Sequence, residues 1–246
     1  MKKIFFAGLA LLLVFSFGCA KKKKGAGGTG GGGGTAAVGD VKKFDEGSQR
    51  FREAIRFISV KPDKAKAAEA AGLAETAFGE VAKAWPKDPP DAFAGDTTWA
   101  TDIGTLKKLM GDVKTQVEGD KTADAQASIL EAQKIILGIH DKNKINTAGD
   151  EAVRLLVIAH DMDVAFREKR FNDMKHIMPN MREAQKNFFG STAPASARGR
   201  EDTFDTMKDN VYEGVETFAI APNPEERRVA LDNLIKATTE FYVEFG

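Results

Sequence analysis

"TWATDIGTLKKLMGDVKTQVE", residues 98–118, decides the fold class of this chain. Trp99, Ile103, Leu106, Met110, Val113 and Val117 recur at spacings of three and four. That period places them on one face of an α-helix, whereas a half-buried strand would alternate. Phe171, Met174, Met178, Met181, Gln185 and Phe188 make a second such stripe. Alternating patterns are scarce from Val41 onward, so the body is expected to be all-α. Breaks fall at Pro62-Asp63, "PKDPPDAFAGD" (86–96), Gly119-Asp120, "NTAGD" (146–150), "GSTAPASARGR" (190–200) and "APNPEE" (221–226). They predict eight helices, over 48–60, 64–85, 98–118, 123–142, 150–168, 171–189, 201–219 and 225–244. With 42% hydrophobic residues in 246, a sizeable core is available to them.

The eight helices read as four used twice. Phe78, Glu80, Lys83 and Trp85 match Met181, Glu183, Lys186 and Phe188 at a shift of 103. Trp99, Leu106, Met110 and Val113 match Phe204, Val211, Val215 and Phe218 at 105, and Ile129, Ala132, Lys134, Ile139 and His140 match Leu231, Leu234, Lys236, Phe241 and Tyr242 at 102. Each half also has a long Pro/Gly/Ala connection between its second and third helices. Short links elsewhere favour antiparallel neighbours, so the expectation is two tandem up-down-up-down four-helix bundles, 41–145 and 146–246.

Ahead of the body stands "MKKIFFAGLALLLVFSFGCAKKKKG", with a basic start, an uncharged and mostly apolar run from Ile4 to Phe17, then Gly18 and Cys19. This is the layout of an export signal. It resembles a bacterial lipoprotein signal peptide, in which a small residue precedes a lipidated cysteine that becomes the first mature residue. Gly18 fits that pattern, while Ser16 and Phe17 depart from its usual residues. The resemblance implies a signal over 1–18 and lipidation of Cys19. Cleavage after Ala20 and an uncleaved anchor are the alternatives, although the apolar run is short of the roughly 20 residues a spanning helix needs. "KKKKGAGGTGGGGGTAAVGD" (21–40) lacks the Gly-Lys-Ser/Thr of a phosphate loop, and 19–40 reads as the lipidated cysteine and a flexible tether. The implied destination is the cell envelope, on the outer membrane facing the periplasm, since Ala20 does not supply the Asp after the cysteine that favours inner-membrane retention in that family.

Cys19 is the only cysteine, which excludes an intramolecular disulfide and a multi-thiolate metal site. Six of the 36 basic residues lie in the first 24 positions, which hold no acid, so the remainder carries 30 basic against 36 acidic residues, a net of −6. Such a body has no global electrostatic reason to bind nucleic acid.

"IILGIHDKN" (135–143) ends the fourth predicted helix. A four-helix unit with a residue of interest at that place resembles the soluble b-type four-helix-bundle cytochromes and cytochrome c prime. Against the c-type attachment motif, Ile136 and Ile139 stand at the cysteine positions and His140 at the ligand; in the second half Thr238, Phe241 and Tyr242 stand there. Covalent haem is therefore excluded. The b-type members pair this histidine with a methionine early in helix one, where this chain has Phe51 and no methionine between Val41 and Val60. Haem is not expected, and His140 reads as a partly exposed residue whose charge complements a helix C-terminus.

"AHDMDVAFREKRFNDMKHIMPNM" (159–181) gathers His160, Asp163, Asp173 and His176 with several methionines, a composition competent for Cu, Ni or Zn. A helical wheel turns Asp173 and His176 away from the methionine stripe, so solvent and core explain them more simply. No Gly-x-Ser-x-Gly, His-Glu-x-x-His or body thiol is present, and no catalytic residue stands out. The expectation is an exported, membrane-anchored, haem-free helical body that binds or scaffolds an unidentified protein or small ligand, with a periplasmic metal binder as the alternative and a weak or relict b-type haem binder, through His140, as the second.

Overall fold

The computed structural model describes residues 36–246, with side chains from Lys42 onward. The signal, Cys19 and most of the tether lie outside the described residues. Among the described residues there are eight α-helices and no strand: α1 (Ala36–Ile55), α2 (Lys64–Ala84), α3 (Trp99–Glu118), α4 (Thr122–Lys142), α5 (Ala148–Arg167), α6 (Phe171–Gly190), α7 (Glu201–Ile220) and α8 (Pro224–Phe245). From α2 onward the predicted ends agree within two residues. The first helix differs. It begins at Ala36 and not at residue 48, because Ala36 and Ala37 are strong helix formers and Gly47 does not end it. Its expected last turn, Arg56–Val60, is wound as a π-helix, with the Lys61 N–H donating to Arg56 O over 2.8 Å. Gly47 marks a close approach of α1 to α2, since a Cβ there would lie 2.9 Å from the Phe78 ring.

Three short links share one device. Asp120, Lys144 and Lys169 adopt left-handed φ of 57°, 57° and 58°. The next residue in each case donates its N–H back five residues, Lys121 to Gln116 O (2.8 Å), Ile145 to His140 O (3.0 Å) and Arg170 to Ala165 O (2.8 Å). This is the Schellman closure, and it turns α3, α4 and α5 tightly into the helices that follow.

The two long connections match each other as well. Phe93 N–H donates to Pro90 O (2.8 Å) and Asp96 N–H to Phe93 O (2.9 Å); Ala197 N–H donates to Pro194 O (2.9 Å) and Arg200 N–H to Ala197 O (2.8 Å). Each forms a single 3₁₀ turn, Asp91–Phe93 and Ala195–Ala197, that buries its last residue.

The predicted stripe of α3 is buried throughout, from Trp99 to Val117. The α6 stripe is buried at Met174, Met181, Gln185 and Phe188, whereas Phe171 is 53% exposed, because it is the first residue of α6 and stands at the hairpin's open end. One continuous hydrophobic cluster runs through both halves. Consecutive helices pack on one another, α5 also packs on α8, and across the middle α4 meets α5 while α1 and the π turn meet α8. No comparable contact joins α1 to α4. No described helix is long and apolar enough to cross a membrane.

Candidate functional site

The space left between α1 and α4 is occupied by two cavities, also bordered by α5 and α8 and both touching Gln133, which is 4% exposed. The first, of about 360 Å³, is lined by Ser59 and Val60 of the π turn, Ile129 of α4, His160 and Asp163 of α5 and Lys236 of α8. The π winding places Ser59 and Val60 on this wall, in keeping with the frequent use of π turns at functional sites. The second, of about 240 Å³, is lined by Phe44, Asp45, Ser48 and Arg52 of α1, Ile136 and His140 of α4, the start of α5, and Tyr242 near the end of α8.

His140 lies in the last turn of α4 and is partly exposed, as its position implies, but it also has a specific partner. Its side chain is 19% exposed, and its Nδ1–H donates to Asp150 Oδ1 over 2.7 Å. Asp150 also accepts from the Thr147 N–H (2.8 Å) and hydroxyl (2.8 Å), and its own N–H donates to Thr147 Oγ1 (3.1 Å), completing a capping box at the start of α5. Burial would raise this carboxyl, but the His140 and Thr147 hydrogen bonds outweigh it and hold Asp150 below the ordinary carboxylate range. The end of α4 and the start of α5 are thereby joined by a charged, largely buried contact.

Around this pair stand further polar groups, among them the Arg52 guanidinium beside the Tyr242 hydroxyl. Ser48 is 8% exposed and its Oγ is buried without a hydrogen bond. Arg52 is half-buried and, among the described residues, forms no ion pair. Asp45 sits at the mouth, open to water on one side; the protein on the other side raises its carboxyl, against the opposing pull of His140 and Arg52. Burial pushes the Tyr242 hydroxyl up to about 12.

The four residues singled out for metal do not come together. Asp163, largely buried, is held by Arg228 and by Arg167 at 2.8 Å. His160, half-buried in the first cavity, has its imidazole pKa lowered by burial, with Asp163 opposing. Asp173 pairs with Arg170, and His176 is exposed. Among the described residues no three His, Cys, Asp or Glu side chains form a metal-holding group. Of the haem-related positions, Phe51 and Ile139 are fully buried and Ile136 nearly so.

Asp45, Ser48, Arg52 and Asp150 are the site residues that sequence reasoning passed over. One signal was available for Asp150: Thr147 followed three residues later by an acid at a helix start is a capping-box spacing. Nothing local marks Ser48 or Arg52, whose significance comes from α4 standing away from α1. A second polar cluster, of which Asp96 is buried, has a structural role: Lys142 at the end of α4 contacts Asp96 (3.1 Å), Asp102 (2.7 Å) and Thr98, pinning the first long connection. The chain matches no known family model, no curated protein sequence and no solved structure.

Proposed function

We propose that this chain is an exported protein, lipid-anchored at Cys19 on the periplasmic face of the outer membrane, whose haem-free body is two tandem four-helix bundles serving as a small-ligand binding module and not as an enzyme. The anchor is supported by the signal layout and the solitary cysteine. The tandem division is supported by the matched hydrogen bonds of the two long connections. It is supported too by the packing at the seam: exchanging each first-half helix for its second-half counterpart turns the α1–α8 contact into the α5–α4 contact.

The observation that carries the binding role is the α1–α4 gap. The second half closes the equivalent position by packing α5 on α8, whereas the first half leaves two cavities there, lined by a buried hydroxyl without a hydrogen bond and by an arginine that, among the described residues, has no ion pair. A purely structural bundle would gain by filling that space with apolar side chains. The cavities lie at or just below the size of small-molecule sites, about 300–1,000 Å³.

Two measurements test this function. Palmitate labelling and membrane sedimentation are expected for the natural chain and lost on Cys19→Ala; a correctly exported Cys19→Ala chain that still sediments with membranes would refute the anchor. A thermal-shift screen of the full chain in detergent against a small-molecule library should give hits that Gln133→Phe, which fills the partition between the cavities, removes. Hits indifferent to that substitution would place binding elsewhere.

A further inference from the structure

Asp45, Ser48 and Arg52 follow one another at spacings of three and four along a single face of α1. All three line the smaller cavity. They span about 10 Å of helix axis at 1.5 Å per residue. Along the helix the face offers a negative charge, a buried hydroxyl and a positive charge, in that order. Among the described residues neither Asp45 nor Arg52 has an ion-pair partner, and Ser48 Oγ is buried without a hydrogen bond. Polar groups withdrawn from water without partners are costly. His140 and Asp150, the other polar pair at this cavity, are joined to each other, while Asp45 feels His140 and Arg52 and the Arg52 guanidinium faces the Tyr242 hydroxyl, so neither α1 charge has an ion pair of its own among the described residues.

We propose that this cavity binds a short linear zwitterion, its carboxylate against Arg52 and Ser48 and its ammonium against Asp45, with a few methylenes between them along Phe44 and Ile136. This rests on the binding role proposed above and names the ligand class. A monocarboxylate would satisfy Arg52 and leave Asp45; an alkylamine would do the reverse. The charge order on α1 selects a ligand carrying both. The cavity, of about 240 Å³, exceeds the roughly 150 Å³ that holds a six-carbon ring, so a ligand of about eight non-hydrogen atoms fits it. δ-Aminovalerate has that size, with its charges at opposite ends.

Titration calorimetry of the full chain in detergent tests the assignment with δ-aminovalerate, valerate, pentylamine and glutarate as probes. The expected result is saturable binding of δ-aminovalerate at least about tenfold tighter than valerate or pentylamine. Arg52→Gln abolishes it, and Ser48→Ala weakens it at least about tenfold, the size of one hydrogen bond to a charged group. Asp45→Lys, at an exposed position that leaves folding intact, shifts the preference from δ-aminovalerate to glutarate. Equal affinity for δ-aminovalerate and valerate, or a preference unmoved by Asp45→Lys, overturns the assignment. So does the absence of any saturable heat with δ-aminovalerate. If that heat is absent while library hits sensitive to Gln133→Phe remain, the zwitterion falls and the binding role stands; if both are absent, both fall.

Discussion

Replacing Asp150 by alanine should be among the most damaging changes available to a polar residue of this protein. Asp150 has a side chain only 6% exposed and accepts three hydrogen bonds, from His140 Nδ1 and from the backbone and hydroxyl of Thr147. Loss of the capping box at α5 costs about 1 kcal/mol. Loss of the charge-assisted bond to His140, which strands a largely buried imidazole, costs about 2 kcal/mol more. Together they give about 3 kcal/mol, or roughly 6–12 °C in melting temperature for a body of this size. Urea unfolding followed by far-UV circular dichroism measures it, with the slope expected to stay constant. Asp112→Ala, which removes an exposed pair with Lys108, is the control and should cost less than about 0.5 kcal/mol. A cycle with His140→Ala should show a coupling of about 1–2 kcal/mol. If Asp150→Ala costs no more than Asp112→Ala, or if the His140 and Asp150 substitutions simply add, the contact does not tie α4 to α5.

The same carboxyl predicts an acid limit: because the folded-state pKa of Asp150 lies below its ordinary value of 3.8, its stabilisation is complete above that value and is lost as pH falls through the folded pKa, so the stability gap between natural and Asp150→Asn proteins should shrink below about pH 4. Trp99→Ala removes a side chain 1% exposed that stacks on Phe93 at 5.0 Å, and should cost about 4 kcal/mol in the same assay. Haemin added to the full chain should give no sharp one-to-one Soret shift, since the buried Phe51 stands where a second axial ligand would be needed; a tight spectrum lost on His140→Ala would contradict this. A fragment over 36–145 should unfold cooperatively as a helical monomer, and a non-cooperative or aggregating product would refute the tandem division.

Periodicity made the helices legible because each must bury one face, and seven of the eight were placed closely from apolar spacing and Gly/Pro breaks alone. The first starts at Ala36 and not at 48, since the stretch from Ala36 to Gly47 has few apolar residues to set a period and its helix rests on packing such as the approach of Gly47 to Phe78. The π winding of Arg56–Val60 has no local signature: its residues suit an α-helix equally well, and the choice is made by the packing of α1 and α8. The site was hidden for a related reason. His140 drew notice as a chemically distinctive side chain near a helix end, but its partner is set by the left-handed Lys144 that folds α5 back beside α4. The metal candidates illustrate the converse, since His160 and Asp163 do share a helix face, yet Arg228, 65 residues further along the chain, claims the carboxylate.

The missing contact between α1 and α4 bears on time as much as on space. A guest bound in the cavities as proposed would be held by helices whose opposing faces do not brace each other, so its entry and exit would need only a local parting of α1 from the seam. Native-state hydrogen exchange should then show seam-facing amides of α1 and α4 opening well below the global unfolding free energy, while those of α7 and α8 open only with the whole body. Occupancy would slow the first set selectively, and the lifetime of the bound guest would follow the breathing of one helix, on the microsecond-to-second scale of local opening.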